Sequence, residues 1–147
     1  MPSISSSANR KIVRASALYD LVITAPLATP WTLPLVHGMM SDLNVGLGGA
    51  PLPAFEAFHM FIGGLLGCIV VVWSLLRLRH AERRLGLYDG AGRFLFSSWM
   101  AWTLAATGAP VLWLLLVPEF AWGVAQWWPV QKAMADSRQR DGRLATA

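Results

Sequence analysis

The chain has 147 residues, enough for one domain, with 55% hydrophobic and only 14% charged side chains and a mean hydropathy of +0.47; this excludes an ordinary water-soluble globular domain. Twelve Lys and Arg against eight Asp and Glu leave a net charge of +4, but all twelve cations fall in three clusters beside apolar stretches, and no aromatic-basic repeat of the kind that stacks bases is present, so the charge reads as topology and nucleic acid is excluded as a partner. The expected class is an all-α polytopic membrane protein, an antiparallel four-helix bundle of the plasma or inner membrane with both termini cytoplasmic, its transmembrane domain covering residues 15–131 between mobile tails at 1–14 and 132–147.

The first predicted span covers residues 17–41. A basic flank (Arg10, Lys11, Arg14) and an apolar core resemble a signal peptide, but Asp20 interrupts the core and no small-residue cleavage site follows, so the segment is expected to stay. Asp20 would cap the helix or pair with Arg14 or with the Arg77 and Arg79 region. Within the span, "APLATPWTLPLVH" holds Pro26, Pro30 and Pro34 at intervals of four. Each proline removes its own N–H and frees the carbonyl four residues earlier. At about 100° per residue the three share a face with His37, which therefore points inward, where protein or water can satisfy the freed carbonyls. The prolines either bend the helix around its neighbours or line a ligand or ion site.

The second span, 55–79, follows a Gly/Pro-rich connection that carries no cation. Glu56, His59, Gly63, Gly67 and Ser74 recur at three and four. Gly63-x-x-x-Gly67 is a small-residue groove for another helix and would let a homodimer form. Glu56-x-x-His59 has the one-turn spacing of carboxylate-bridged metal sites, though a simple Glu–His hydrogen bond meets the same pattern. His37 and His59, near the same ends of neighbouring helices, have the placement of two haem ligands. No cofactor is expected, haem or metal through His37, His59 and Glu56 being the only candidates. Cys68 is alone in the chain, so no internal disulfide forms.

The cytoplasmic link "RLRHAERRLGLYDGAGR" is expected to extend the second helix briefly and break at Gly90 and Gly92, its charges solvated or on lipid headgroups. "ALYD" at 17–20 and "GLYD" at 86–89 hint at a duplicated two-helix unit. The third and fourth spans, 92–108 and 110–130, are joined by "TGAP", short enough to force them antiparallel. Of eight tryptophans, Trp73, Trp99, Trp113, Trp127 and Trp128 fit an interfacial belt, while Trp31, Trp102 and Trp122 lie deeper as packing elements or pocket walls. Glu119, about 13 Å from the turn by helical rise, falls near the bilayer centre, where a charge costs at least ~2.5 kcal/mol. It should face inward, protonated or paired, on the side of Trp122 and Gln126. It either fixes the bundle or serves as a proton donor or counter-ion.

Four short helices, an acid closing the first ("MMSDLN", Asp42), another opening the second ("AFEAFHMF", Glu56) and a proline in the fourth ("LLLVPEF") resemble the emopamil-binding and sigma-2 receptor group. The resemblance implies a pocket for a hydrophobic, cationic or lipid-like small molecule, with Asp42, Glu56 and Glu119 facing the amine and Trp102 and Trp122 as cation–π walls. For some of that group it also implies isomerisation by proton transfer. The candidate catalytic residues are then Glu119, Glu56 and His59, and the ligand-binding candidates His37, Asp42, Trp31, Trp102, Trp122 and Gln126. The competing expectation is a non-enzymatic accessory or assembly subunit of a membrane complex.

Overall fold

A computed structural model describes residues 4–130, which form five α-helices and no strand. Helix α1 (Ser6–Thr24) opens at Ser5, whose hydroxyl accepts the Ala8 N–H at 3.2 Å and so satisfies one of the free donors of the first turn. Asn9 and Val13 are buried on it, so the chain is helical from Ser6 and the expected tail at 1–14 is largely structured. The tail expected at 132–147 lies outside the described residues.

The three prolines do not bend one long helix; they end it. After α1 comes a single 3₁₀ turn (Ala25–Ala28), then Thr29 in extended geometry (φ −127°, ψ 145°), the conformation forced on a residue that precedes proline. Helix α2 (Leu33–Gly46) leaves at 111° to the first segment, with Pro34 in its first turn, where the missing N–H costs nothing. One carbonyl freed by the break and one N–H beside it are met locally: Thr32 Oγ1 donates to the Pro26 carbonyl, and Thr29 Oγ1 accepts the Thr32 N–H at 3.2 Å. The helix expected to run unbroken over 17–41 is thus interrupted between α1 and α2.

Helix α3 (Ala57–Arg79) matches the second predicted span closely. It is the one helix among the described residues that alone is long and apolar enough to cross a membrane; α1 with its 3₁₀ turn and α2 meet that standard only as a bent pair. Helix α4 (Arg83–Thr107) begins nine positions before the predicted 92, because the chain breaks at residues 80–82, and Gly90 and Gly92 sit inside the helix. Gly108 closes α4 in the left-handed region (φ 66°), which glycine enters without a Cβ clash. After the "TGAP" turn, α5 (Leu112–Trp127) returns alongside α4 with Pro118 inside it.

The helices form two hairpins. In one, α1 and its 3₁₀ turn pack on α3; in the other, α4 packs on α5. The glycine groove on α3 is filled from within the chain. A Cβ on Gly67 would lie 2.8 Å from the Leu27 carbonyl carbon and 2.9 Å from the Ala28 nitrogen, so the groove holds the 3₁₀ turn and is not free for a second copy. The hairpins touch through α1, where Gly86 meets Val13 and Tyr19 meets Trp122. At the far end, buried Asn44 on α2 accepts the Val111 N–H at 3.0 Å and donates to the Ala50 carbonyl at 2.7 Å, tying the two outer turns together. Asn44→Ala strands both backbone groups and is expected to cost about 1–3 kcal/mol, read as a lower midpoint in thermal unfolding of the detergent-solubilised protein.

Polarity is inverted relative to a water-soluble domain. The largest fully buried side chains are Arg77, Arg93 and Gln126, while Phe58, Ile69, Val72, Leu95, Trp99 and many other large apolar residues are exposed.

Candidate functional site

Each hairpin contributes the same two elements of sequence. Its outgoing helix carries Leu-Tyr-Asp (ending at Asp20 in α1 and Asp89 in α4), and its returning helix carries a tryptophan four residues before a hydrogen-bonding side chain (Trp73 and Arg77 in α3, Trp122 and Gln126 in α5). Helical spacing of four puts each such pair on one face. Packing the hairpins together brings these faces into a single buried cluster.

Two guanidiniums hold it together. Arg77, fully buried, donates through Nη1 to Asp89 Oδ2 at 2.5 Å and through Nη2 to Asp20 Oδ2. Arg93, 2% exposed, donates through Nη2 to Asp20 Oδ2 at 2.5 Å, through Nε to Asp89 Oδ2 at 2.9 Å and through Nη1 to Glu119 Oε2 at 2.8 Å. The planar fork of arginine, with five donors, permits this bridging where lysine could not. Trp73 Nε1 donates to Asp89 Oδ1 at 2.7 Å. Ser16 Oγ lies at the centre, accepting from Arg77 Nη1 at 2.9 Å and within hydrogen-bond reach of Arg93, Asp89 and Gln126. Three carboxylates face two guanidiniums, so full ionisation leaves the cluster with one unmatched negative charge.

The cluster forms the floor of a cavity of about 360 Å³ between the hairpins, lined by residues of α1, α3, α4 and α5. Asp20, Asp89, Arg93 and Glu119 line the floor with Tyr19 and Tyr88; Ile69, Leu27, Phe96 and Met100 are among the apolar walls. Such a volume, largely apolar with a few convergent polar groups, is in the range that holds a small organic molecule. Trp73→Phe keeps the wall and removes the indole N–H from Asp89. It is expected to cost about 1.5–3 kcal/mol as a lost hydrogen bond to a charged group, measured by denaturation in lipid nanodiscs.

Of the residues singled out from sequence, Glu119 and Gln126 belong to the cluster, and Trp122 is half-buried against Tyr19 with ring centroids 6.1 Å apart. The others lie elsewhere. Glu56 caps α3 by accepting a first-turn N–H, while His59 Nδ1 accepts the Glu56 N–H at 3.3 Å, so the spacing that suggested a metal pair serves a reciprocal helix cap. His37 Nε2 is bonded to the Pro53 carbonyl at 2.9 Å. Phe55 packs on both histidines, its ring centroid 4.1 Å from that of His37 and 6.1 Å from that of His59, an arrangement unlike two axial ligands facing one haem iron. Among the described residues no group of three or more His, Cys, Asp or Glu is placed to hold a metal ion. Asp42 is exposed, as are Trp31 (78%) and Trp102, the latter edge-on to Trp99. The buried polar cluster therefore lies toward the opposite, basic end of the bundle from His37, Glu56 and His59.

Sequence reasoning missed Arg77, Arg93 and Asp89 as members of a site, because the charges of the link between the second and third predicted spans were expected to be solvated or on lipid headgroups. Two signals pointed to them: the repeated Leu-Tyr-Asp, and Asp89 lying four residues before Arg93 on one helix. Asp20, expected to cap its helix or pair near Arg77, does pair with Arg77. No protein-family model, curated protein or solved structure matches this chain.

Proposed function

We propose that this chain is an integral membrane protein that crosses the bilayer four times, with its basic end in the cytoplasm, and binds a hydrophobic small molecule in the cavity between its hairpins. The observation that carries the reading is the cavity itself: apolar walls over a floor bearing three carboxylates and one guanidinium. Lipid as solvent explains why arginines are inside and phenylalanines outside, since charged groups in a bilayer turn toward one another and away from acyl chains. Arg10, Lys11, Arg14, Arg79, Arg83 and Arg84 all flank the same end of the bundle, as the positive-inside rule requires for a cytoplasmic face. The excess acid on the floor favours a guest with a cationic or strongly polar end and an apolar body, a lipid-like amphiphile.

Of the residues implied by the resemblance to the emopamil-binding group, Glu119 borders the cavity, while Asp42, Glu56, Trp102 and Trp122 do not line it. Glu56 lies about 30 Å along α3 from Arg77 by helical rise, so neither it nor His59 takes part, and an isomerisation would have to use Glu119.

Native mass spectrometry of the protein purified with its lipids is expected to show a bound small molecule. Met100→Trp, which fills the cavity from its wall, should lower occupancy about tenfold, equivalent to ~1.4 kcal/mol, while Asp42→Asn leaves it unchanged. An empty wild-type protein, or equal occupancy in Met100→Trp, contradicts the proposal. The alternative role as an assembly subunit draws on the exposed Trp31, Trp99 and Trp102; it is favoured if replacing these three by leucine releases a co-purifying protein while the cavity is empty.

A further inference from the structure

We propose that the empty cavity holds one exchangeable proton on Glu119, and that a lipophilic monocation entering the cavity takes that proton's place. The inference rests on the cavity being a binding site and adds what the site exchanges. Charge balance is its basis. Glu119 on α5 faces Asp20 and Tyr19 from α1, Asp89 and Arg93 from α4 and, one pair further, Arg77 from α3; Gln126 is neutral. Two guanidiniums carry charge enough to neutralise two carboxylates, and a third negative charge buried among apolar helices, though bonded to a shared guanidinium, has no counter-charge of its own. A net charge in such surroundings is expensive enough that the group binds a proton or a cation instead.

Hydrogen-bond counts identify which acid is odd. Asp20 Oδ2 bridges both guanidiniums. Asp89 receives Arg77, Arg93 and the Trp73 indole. Glu119 receives only Arg93 Nη1, through Oε2; Oε1 has no hydrogen bond among the described residues, and the side chain borders the cavity. A proton on Oε1 keeps the Arg93 contact and brings the cluster to zero charge. When a cation arrives, the Glu119 O–H bond breaks, the proton leaves to water, and the carboxylate pairs with the guest, so the cluster stays at zero. Linkage then requires that cation affinity fall as pH falls, by up to about tenfold per pH unit.

Infrared difference spectroscopy of the protein in nanodiscs near neutral pH tests the first half. A protonated carboxylic-acid carbonyl band is expected in wild type, absent from Glu119→Gln, shifted in Glu119→Asp and unchanged in Asp42→Asn. Octyltrimethylammonium, whose quaternary nitrogen carries no proton of its own, tests the second half: the band should vanish on binding, with about one proton released per cation into weakly buffered solution. Absence of the band in wild type, or cation binding without proton release, overturns the inference and leaves cavity binding standing. A band present with no cation bound at any pH overturns both the exchange and the cationic guest.

Discussion

Arg93→Leu is expected to abolish recovery of folded protein from membranes. The substitution leaves Asp20, Asp89 and Glu119 facing Arg77 alone, and removing one partner from a buried ionic network costs on the order of 3–5 kcal/mol, a large share of the 5–15 kcal/mol typical of a whole domain. Arg77→Leu should act nearly as strongly, since it strips Asp20 and Asp89 of one donor each. Lysine at either position should rescue little, because one ammonium cannot span two or three carboxylates. Neutralising the acids should rescue more: Arg93→Leu combined with Glu119→Gln and Asp20→Asn leaves Arg77 paired with Asp89 and restores charge balance. Arg79→Leu and Arg83→Leu, exposed cations at the same end, should change stability by less than about 1 kcal/mol. Monodispersity and unfolding midpoint in detergent distinguish these cases.

Gly67→Val is expected to be the most damaging change outside the cluster. Its Cβ would press on the backbone of Leu27 and Ala28, which cannot rotate away as a side chain can, so the 3₁₀ turn must lift off α3. Overpacking of this kind costs about 1–3 kcal/mol, and here it also displaces Leu27, a wall of the cavity. Gly64→Ala, one turn nearer the N-terminus of α3, meets only the Leu27 carbonyl oxygen at 3.9 Å, an ordinary contact, and should be nearly neutral. Loss of both stability and ligand occupancy in Gly67→Val, with neither in Gly64→Ala, would place the broken first segment firmly in the architecture of the site.

How far the sequence disclosed this arrangement varies element by element. The apolar run of α3 and the four-residue turn between α4 and α5 were legible because length and turn chemistry are local properties. The prolines announced a disturbance, but whether a helix bends or ends depends on what partners the freed backbone groups, and Thr32, donating to the Pro26 carbonyl, and Thr29, accepting the Thr32 N–H, do so only in the folded chain. Glu119 was legible because an acid within a long apolar run must face inward; its partner was not, since Arg93 lies 26 residues away on another helix. Arg77 and Arg93 were hidden because cations beside apolar stretches read as topology signals, whereas these two are turned into the bundle. Glu56 and His59 misled for the converse reason, because the spacing that aligns metal ligands also closes a capping box.

The central claim is that lipid surrounds this bundle, with the ionic cluster enclosed between two membrane-inserted hairpins. It is tested most directly by single cysteines introduced at Gly46, at Thr107 and at Glu82, all exposed, in a Cys68→Ala background, labelled in intact cells with a membrane-impermeant maleimide. Labelling at positions 46 and 107 from outside, with 82 protected until the membrane is opened, is the predicted result. Equal labelling of all three from one side, or protection of 46 and 107 with 82 exposed, contradicts it.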